Sequence, residues 1–558
     1  MSFDRDDALR RLGAEQFDVL VIGGGVTGAG VALDAAARGL RTALVERHDF
    51  ASGTSSKSSK LVHGGLRYLQ QKEYALVYEN LAERQRLLDN APHLVHPLPF
   101  LIPLFGKEGA VNKTVAKAYS TALWLYDVTG GLRIGKRHKR IGREAALRHL
   151  PTLRADRLAA AFLYYDARTD DARLTLEIIR TAVLDYGAVA VNYAPVVSLS
   201  RVAGAVDGTA AVDGAMLAHG TAVRAHTVVN ATGVWADDVR ALDEGVHPQS
   251  IRPAKGIHIT VPASRLPADI AAVIPVPKDR RSIFVVPWGD QTYIGTTDTD
   301  YEGSLDDPQC TPDDVRYLID AINAFVTSPL TVDDVTATWA GLRPLVKDAK
   351  SERTADLSRR HQVSVSKSGV ITITGGKLTT YRKMAADTVD VVVRRLGRGA
   401  RRSPTRHLPI RGASGLAALQ KPEAARSLGV TPAALEHLVG RFGGEATEVI
   451  DLLDHSGGLA GGDLAGPLVP GLDYLRAEAI YAVRHEMAQT LEDVLSRRTR
   501  ALLRSRDATE AAAEEVAALI APELGWSEEV TAGQLNAFRD IVRREREAGS
   551  SVLPGAAG

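Results

Sequence analysis

The stretch FDVLVIGGGVTGAGVALDAAARGLRTALVE, residues 17–46, decides the fold. Its first six residues, FDVLVI, form a short apolar run that ends in glycines, as a buried parallel strand does. An alanine-rich segment without proline follows and closes on Gly39, which predicts a helix. The next apolar run, TALVE, ends in an acid. The sequence therefore predicts one βαβ unit with its glycines at the turn from strand to helix.

Gly23, Gly25 and Gly28 have the spacing of a dinucleotide-binding fingerprint, and Glu46 lies about 20 residues further on, at the end of the second strand. Gly23 permits the tight turn, Gly25 lets the backbone approach a pyrophosphate, and Gly28 lets the helix pack closely on the strand. The helix N-terminus offers unpaired N–H groups to phosphates, and Glu46 is placed to accept hydrogen bonds from the adenosine ribose. These residues are predicted to bind a dinucleotide.

Composition predicts an intracellular globular protein of two or three domains, because 558 residues exceed one ordinary core. The 68 basic and 67 acidic residues nearly balance, so the overall charge does not point to nucleic acid as a partner. The single cysteine, Cys310, offers no disulfide and no thiolate pair, which fits a reducing compartment and predicts no metal site. The polar N-terminus does not resemble a signal peptide, and no apolar run approaches the roughly 18 residues of a spanning helix.

The strand and helix patterns divide the rest of the chain. Short strands with Gly and Asn turns dominate residues 160–300 and predict a mixed or antiparallel sheet. From about residue 415 to 545 the pattern is helical throughout and predicts an all-α C-terminal domain. We therefore expect an α/β nucleotide-binding domain of Rossmann type over residues 1–410 and a helical domain over 411–558. Substrate-binding segments, roughly 75–225 and 250–345, are expected to be interleaved with the first domain.

Two further glycine turns favour a flavin over a nicotinamide. VVNATG at 228–233 and TITGGKLTTYRKMA at 372–385 each carry a strand that ends in glycine, and the second repeats the order strand, glycine pair, helix. An isoalloxazine ring reaches across the domain, and a helix N-terminus aimed at the ring can stabilise the negative charge that develops on reduction. Either turn alone could serve only chain reversal, but together with the fingerprint they predict FAD as the cofactor.

At this point the motifs carry a family resemblance that spans nearly the whole chain. The chain resembles the FAD-dependent glycerol-3-phosphate dehydrogenases in SSKLVHGGLRYL, NATGVWAD, AKGIHITV, FVVPWGDQTYIGTTDTDY, AGLRPL, GGKLTTYRKMA and AVRHEMAQTLEDVLSRRTR. The resemblance implies a flavin domain of the D-amino-acid-oxidase type and oxidation of sn-glycerol 3-phosphate to dihydroxyacetone phosphate. It also implies electron transfer to a membrane quinone, a position on the inner face of the cytoplasmic membrane, and a homodimer in many members.

The resemblance also implies a set of substrate-site residues. A phosphorylated alcohol needs a cationic pocket, for which the planar fork of arginine is suited, and a group that takes the hydroxyl proton. By motif position these residues are Arg67, Tyr68, His258, Arg343 and Lys377. A further arginine is expected past GLRPL, where the loop departs from the family pattern; Arg359 is the first candidate and Arg360 the second.

The proton acceptor is left open between two residues. His258 is the first choice, because an unperturbed histidine can be neutral near pH 7. Lys377 could serve only if burial and neighbouring arginines lower its pKa. His258 alternates with Ile257 and Ile259 along a strand, so it is expected to face away from the isoleucines.

The polar segment after Glu46, SSKSSKLVHGGLRYLQ at 55–70, must run from the adenosine end of the cofactor towards the flavin end. Its hydroxyl groups can bond pyrophosphate and ribityl oxygens, and its glycine pair lets the backbone pass close to the ring. With the two later turns, the predicted cofactor-binding residues beyond the fingerprint are Thr54, Ser55, Ser56, Ser59, Lys60, His63, Gly64, Gly65, Gly233, Gly375, Gly376, Leu378 and Thr379.

One basic stretch of the sequence bears on membrane contact. The basic stretch RIGKRHKRIGR at 133–143 follows the amphipathic segment AKAYSTALWLYDV. This arrangement suits an anionic membrane surface but equally an ordinary solvated loop.

The nearest alternative function is a glycerol-3-phosphate oxidase that uses oxygen. An amine or amino-acid oxidase and a flavin-binding or RNA-associated protein are more distant alternatives, since the several cations favour a phosphate and the basic clusters lack interleaved aromatic residues.

Overall fold

Residues 17–46 fold into the predicted strand, helix and strand. Val19–Ile22 and Thr42–Val45 are parallel neighbours, and Val26–Ala37 is the helix between them. Every residue of both strands is buried. The apolar run without alternation is therefore explained, because this sheet is covered on both faces.

The computed structural model describes residues 3–70, 73–106, 113–202, 210–277, 281–347, 360–399, 401–454 and 463–549. The strands in these ranges are β1 (Gln16–Phe17), β2 (Val19–Ile22), β3 (Thr42–Val45), β4 (Leu61–Val62), β5 (Val95–Phe105), β6 (Lys139–Gly142), β7 (Leu158–Thr169), β8 (Val189–Val191), β9 (Val196–Val202), β10 (Ala211–Leu217), β11 (Ala222–Ala225), β12 (Val228–Asn230), β13 (Ile251–Pro262), β14 (Ala271–Pro275), β15 (Ser282–Trp288), β16 (Gln291–Gly295), β17 (Thr299–Asp300), β18 (Ala337–Val346), β19 (Gln362–Val365) and β20 (Ile371–Thr374).

The α-helices in the same ranges are α1 (Arg5–Ala14), α2 (Val26–Ala37), α3 (Leu66–Gln70), α4 (Tyr74–Asn90), α5 (Lys113–Val128), α6 (Arg143–His149), α7 (Asp171–Leu184), α8 (Ala236–Glu244), α9 (Pro312–Asn323), α10 (Tyr381–Arg395), α11 (Leu416–Leu419), α12 (Ala424–Ser427), α13 (Pro432–Phe442), α14 (Ala446–Asp454), α15 (Arg476–Glu486), α16 (Ala501–Arg504), α17 (Arg506–Leu524) and α18 (Glu528–Gly549). Single 3₁₀ turns include Thr54–Ser56, Gly233–Trp235 and Leu378–Thr380, and Asp493–Arg498 is π-helical. Within these ranges, none of the helices has both the length and the apolar content needed to cross a membrane.

The nucleotide-binding sheet has the strand order β19-β20-β12-β2-β3-β8. All of its pairs are parallel except that of β19 with β20. Helices α2, α7 and α10 pack side by side on one face. A small sheet of order β1-β11-β10-β9 contributes apolar side chains to the same core from the other face. The predicted Rossmann-type architecture is confirmed.

The second large sheet, which we call the substrate sheet, has the order β17-β13-β16-β15-β14-β5-β7-β4, with β18 paired to β13 and β6 paired to β7. Most of its pairs are antiparallel, as the short strands with Gly turns predicted, and β14 with β5 is a parallel pair. One core packs it against α9, and a second core packs it against α4 and α5. The predicted mixed sheet is confirmed.

The first predicted substrate-binding segment, roughly 75–225, is divided by the structure. Its residues up to β7 belong to the substrate sheet, but α7, β8 and the strands β9 to β11 pack in the nucleotide-binding core. β8 pairs with β3, which makes it an edge strand of the nucleotide-binding sheet. The substrate segment therefore ends near Asp170, where α7 begins.

The C-terminal helices from α11 to α18 form two apolar cores of their own and dock on the first domain through buried ion pairs. Asp49 accepts hydrogen bonds from the guanidinium groups of Arg497 (2.7 Å) and Arg498 (2.6 and 2.9 Å). Arg173 of α7 pairs with Glu486 of α15. These contacts tie the helical domain to the loop after β3 and to α7.

The last helix, α18, also reaches the substrate sheet through Glu545. The backbone N–H of Thr338 on β18 donates to Glu545 Oε1 at 2.6 Å, and the side chain of Glu545 is buried. Burial raises the pKa of Glu545 to about 8, although the Thr338 hydrogen bond and the charge of Arg506 oppose this. Because an unfolded glutamate has a pKa of about 4.3, the folded chain binds an extra proton between these two values.

This carboxyl group predicts how stability depends on pH. The folded state loses its extra proton as the pH rises towards about 8, so the contribution of Glu545 to stability falls across that window. Glu545→Gln keeps the hydrogen-bond acceptor without the charge. We expect the variant to gain thermal stability relative to the parent protein as the pH increases from about 6 to about 9. Glu529→Gln, an exposed position on the same helix, serves as the control, and a melting-temperature difference that is independent of pH contradicts the prediction.

Candidate active site

Two connected cavities lie where the nucleotide-binding sheet meets the substrate sheet. The nucleotide cavity, of about 380 Å³, is lined by the ends of β2 and β3, the start of α2 and the turn at Gly233. The substrate cavity, of about 440 Å³, is lined by the substrate sheet and by residues of the segment 54–68. Thr54, Pro344 and residues 375–378 line both. The two cavities therefore form one elongated space, as a dinucleotide whose ring reaches a substrate requires.

Most of the residues predicted from the sequence line this space. Those on the nucleotide cavity are Gly23, Gly25, Glu46, Thr54, Ser55, Gly233, Gly375, Gly376, Lys377 and Leu378. Those on the substrate cavity are Thr54, Ser59, His63, Gly65, Tyr68, His258, Arg343, Gly375, Gly376, Lys377, Leu378 and Thr379. Four predicted cofactor residues line neither cavity, namely Gly28, Ser56, Lys60 and Gly64.

The fingerprint turn can be built only from glycine at two positions. Gly23 has a φ of 111°, a conformation that other residues rarely adopt. A Cβ atom on Gly28 would lie 1.9 Å from the carbonyl oxygen of Gly23. Gly28 therefore permits the close packing of helix and strand, while Gly25, the N-cap of α2, faces the nucleotide cavity.

Glu46 is held by backbone N–H groups at the edge of the nucleotide cavity. Gly24 N donates to one carboxylate oxygen at 2.7 Å, and His48 N donates to the other at 2.9 Å. Burial raises the pKa of Glu46, and these two hydrogen bonds oppose the change. Each oxygen retains acceptor capacity, so the carboxylate is compatible with the predicted bonds to ribose hydroxyls.

The segment 54–65, which we call the connecting segment, runs from one cavity to the other. The N–H of Val26, at the start of α2, donates to Ser55 Oγ at 2.9 Å. Further on, Ser59 Oγ lies 2.9 Å from His258 Nε2, and His63 N donates to Thr379 Oγ1 at 3.1 Å. The predicted course from the adenosine end to the flavin end agrees with these contacts.

The predicted cofactor residues outside the cavities support the connecting segment from behind. Lys60 Nζ donates to Asp171 Oδ1 at 3.1 Å and to the carbonyl oxygen of Ser56 at 3.2 Å. Gly64 N donates to the Tyr126 hydroxyl at 3.0 Å, and a Cβ atom at Gly64 would lie 2.4 Å from this oxygen. The sequence could not show which side of the connecting segment each of these residues faces.

Two predicted substrate arginines lie outside what the structure describes. The side chain of Arg67, on α3, and the whole of Arg359 are among the residues left undescribed. Arg360, the second candidate of that loop, is exposed and lies 3.7 Å from Glu73. Arg360 does not line the substrate cavity.

Arg343 brings a cation into the substrate cavity from β18. Its guanidinium lies 3.2 Å from Asp298 Oδ1 and donates to Thr297 O at 3.2 Å. A Cβ atom on Gly256 would lie 2.5 Å from Arg343 Nη2, so a side chain at that position of β13 would displace the guanidinium. Lys377 adds a second cation, with its Nζ atom 3.9 Å from the centre of the Tyr68 ring.

His258 lies on β13 with its ring against Trp339 and away from the isoleucines on either side, as predicted. The two rings are stacked, with their centres 4.7 Å apart. Burial, together with the charges of Lys60 and Arg343, lowers the pKa of His258 well below its ordinary value. Within the described residues, its Nδ1 atom is buried and has no hydrogen-bond partner. The ring is therefore neutral near pH 7, with one nitrogen left for a further polar group.

Sequence reasoning missed three residues that shape the substrate cavity. Asp298 orients Arg343, Trp339 stacks on His258, and Arg281 lines the cavity while its Nη1 donates to Asp298 O at 3.0 Å. A signal existed for Asp298, because it follows the strand TYIG in the motif that carried the resemblance. Trp339, on β18, and Arg281, just before β15, could be found only from the pairing of distant strands. Among the described residues, no group of histidine, cysteine, aspartate and glutamate side chains is arranged to hold a metal ion.

Family models match both parts of the chain. Residues 18–382 match the FAD-dependent oxidoreductase family, and residues 403–531 match the C-terminal domain of alpha-glycerophosphate oxidase. The chain is thus an FAD-dependent oxidoreductase, and the glycine turns and the elongated double cavity fit this cofactor.

Named relatives narrow the family. A glycerol-3-phosphate dehydrogenase of Mycobacterium leprae is 43% identical over 533 residues, which cover 94% of this chain and 88% of the relative. The human mitochondrial glycerol-3-phosphate dehydrogenase is 37% identical over a region that covers 95% of this chain and 74% of the human protein. The structure of the glycerol-3-phosphate dehydrogenase from Bacillus halodurans complexed with FAD superposes on this chain with a TM-score of 0.77 at 33% identity. The superposition covers 98% of this chain and 99% of the Bacillus halodurans chain. The chain belongs to the FAD-dependent glycerol-3-phosphate dehydrogenase family.

The turn geometry predicts the effect of one added methyl group on cofactor binding. Gly28→Ala places a Cβ atom against Gly23 O, so the turn must move and the N–H groups at the start of α2 move with it. Overpacking of this kind costs about 1–3 kcal/mol or more. We expect purified Gly28→Ala to contain much less FAD per chain, measured by flavin absorbance. Gly533→Ala, where a Cβ atom meets nothing within 4 Å, is the matched control, and full flavin content in Gly28→Ala would refute this role of the turn.

Proposed function

We propose that this enzyme oxidises sn-glycerol 3-phosphate at C2 to dihydroxyacetone phosphate in the cytoplasm and passes the electrons to a membrane quinone. One observation carries the proposal: Arg343 and the neutral ring of His258 line the cavity that meets the nucleotide cavity at residues 375–378. A phosphate anchor and a proton acceptor are what this substrate needs beside a flavin. The names of the relatives support the same substrate.

The cationic wall suits a phosphate dianion. Asp298 fixes the Arg343 guanidinium from one side, and Arg281 and Lys377 line the same cavity. An arginine held in this way presents two parallel N–H groups to two phosphate oxygens. We assign Arg343 to the phosphate, with Tyr68 and Lys377 beside it.

The neutral histidine suits removal of the hydroxyl proton. Bound FAD supplies the acceptor for the hydride that leaves C2. The hydroxyl proton goes to His258, whose Nδ1 atom has no other partner within the described residues. Lys60 and Arg343 lower the proton affinity of this ring, and the two negative charges of a bound phosphate would offset them. Substrate binding therefore makes His258 a better base.

Anaerobic reduction of the flavin tests the assignment of both residues. Glycerol 3-phosphate should bleach the flavin absorbance of the parent enzyme. Arg343→Met should raise KM by at least about tenfold while FAD is retained, because a charge-assisted contact to the substrate is lost. His258→Gln should lower the bleaching rate by about 10²–10⁴ with a small change in KM.

Arg316→Met, an exposed position on α9, is the control for these variants. Loss of FAD from Arg343→Met would show that the residue serves the cofactor. A bleaching rate that is unchanged in His258→Gln would move the proton to another group. Hydrogen peroxide formed in air at the rate of turnover would make the enzyme an oxidase.

The membrane part of the proposal is supported by an exposed apolar surface on α4 and α5. Tyr78, Trp124 and Val128 are 55%, 53% and 56% exposed, and the Arg133 guanidinium lies over the Tyr78 ring. Exposed cations continue along residues 136–143. Aromatic residues beside cations suit the interface of an anionic bilayer. Tyr119 of α5 lines the substrate cavity, so this surface adjoins the side from which a quinone would approach.

Vesicle binding tests this surface. Trp124→Ser with Val128→Ser should weaken binding to phosphatidylglycerol vesicles and slow the reduction of a quinone held in them, because apolar area at the interface is lost. Reduction of a water-soluble dye should be unchanged. Val246→Ser, at a position that is 70% exposed elsewhere on the surface, is the control. Equal vesicle binding by both variants would argue against membrane contact through α5.

A further inference from the structure

A third cavity, of about 230 Å³, lies behind the connecting segment; we call it the rear cavity. It is enclosed by β7, the β15–β16 turn and α13 of the helical domain. Its charged lining residues are Lys60, His96, Arg168, Asp170, Arg173 and Arg441. It shares no lining residue with the substrate cavity, so it is a separate site.

Arg168 differs from the other permanent cations of the rear cavity in its partners. Lys60 pairs with Asp171, Arg173 with Glu486, and Arg441 with Glu478, all outside the cavity, and Asp170 adds one carboxylate to the lining. Arg168 donates to the carbonyl oxygen of Pro287 at 3.2 Å, and no carboxylate of the described residues lies within 4.0 Å of it. Its charge also acts on His96, its cross-strand neighbour, because burial and Arg168 together lower the pKa of that ring.

The remaining N–H groups of Arg168 suit a small anion. A partly buried guanidinium that has used one of its five N–H groups retains a planar fork, which matches two oxygens of a phosphate. The volume lies below the roughly 300–1,000 Å³ of pockets for drug-sized ligands, which restricts the ligand to inorganic phosphate or a small phosphate ester. Trp288 and Tyr293 give the cavity one apolar wall for the carbon part of an ester.

The rear cavity contacts the groups that hold His258. The Tyr293 hydroxyl donates to the Ser59 carbonyl oxygen at 2.9 Å, and Ser59 Oγ lies 2.9 Å from His258 Nε2. Lys60, the next residue, reaches into the rear cavity. An anion beside Lys60 would offset the positive charge that acts on the histidine ring.

We propose that the rear cavity binds a small phosphate-containing anion through Arg168, and that its occupancy raises the turnover rate through Lys60 and Ser59. The second half of this proposal rests on the proposed role of His258 as proton acceptor. The first half does not depend on the reaction.

Calorimetric titration of the FAD-loaded enzyme with inorganic phosphate tests the binding. We expect two sites in the parent protein, one at Arg343 and one at Arg168. Arg168→Met should weaken the second by at least about tenfold, since a charge-assisted contact is lost, and Arg343→Met should weaken only the first. Arg157→Met, an exposed arginine just before β7, should keep both.

Arg168→Lys guards against a folding defect, because it keeps the charge; it should bind the second phosphate more weakly than the parent and more tightly than Arg168→Met. If the parent protein has no phosphate site that Arg168→Met weakens, the proposal is overturned, whether or not a site at Arg343 is found.

Steady-state kinetics test the coupling. Phosphate should raise KM in the parent enzyme and in Arg168→Met alike, because it competes at Arg343, but it should raise kcat only in the parent. An equal effect on kcat in both proteins overturns the coupling. Because the second site is identified by its response to Arg168→Met and calorimetry does not depend on turnover, an error in the proposed substrate would remove only the site at Arg343, and an error in the proton acceptor would remove neither site.

Discussion

The carboxylate of Asp171 is the point at which the two domains and the active site are joined. Fully buried at the first turn of α7, it accepts hydrogen bonds from Ser58 N (3.0 Å), Ser58 Oγ (2.7 Å) and Lys60 Nζ (3.1 Å) of the connecting segment. It also accepts one from Arg500 Nη2 of the helical domain at 3.2 Å. One carboxylate thus fixes the segment that runs between the nucleotide cavity and the substrate cavity. Its position is set by a helix of the nucleotide-binding core.

This arrangement explains why an irregular, polar segment can lie at the centre of the protein. Ordering each residue costs about 1–2 kcal/mol of backbone entropy, and here only the two-residue strand β4 supplies regular hydrogen bonds that offset that cost. The bonds to Asp171 offset the rest, and Arg500 adds a bond to the carbonyl oxygen of Ser56. Burial and Arg500 lower the pKa of Lys60 to about 8, against the opposing effect of Asp171. Loss of one partner from a buried network of this kind costs about 3–5 kcal/mol, because the remaining charge has no compensation. The helical domain therefore contributes to the geometry of the active site, although it lines neither the nucleotide cavity nor the substrate cavity.

Features that depend on adjacent residues can be predicted from this sequence, and contacts between residues far apart in the chain cannot. The βαβ unit and its glycines follow from apolar runs and spacing, which are properties of adjacent residues. The strand pattern of residues 251–262 likewise predicts which way His258 faces. The sequence does not predict which side of the connecting segment Lys60 faces, because an irregular segment has no hydrophobic period. The ion pair of Lys60 with Asp171 also joins residues that are 111 positions apart. The pairing of β8 with β3 has the same origin, since a short buried strand carries no sign of the sheet that it joins. Resemblance supplied Arg343, and the motifs that carry it also contain Asp298, but the contact between the two side chains follows only from the fold.

Strand register is what brings Arg343 and His258, the proposed phosphate anchor and proton acceptor, to one site. In the antiparallel pair of β13 and β18, His258 lies opposite Trp339, Gly256 opposite Gly341, and Ala254 opposite Arg343. Arg343 therefore starts four residues along the sheet from His258, about 13 Å at the rise of an antiparallel strand. The absence of a side chain at Gly256 lets the guanidinium fold back along this distance, because a Cβ atom there would lie 2.5 Å from Nη2. A slip of one residue in either strand would turn Arg343 or His258 to the apolar core on the other face. The spacing of these two side chains is thus set by the pairing of the strands and by a glycine between them, and under the proposed function this spacing makes the sheet selective for a short phosphorylated alcohol.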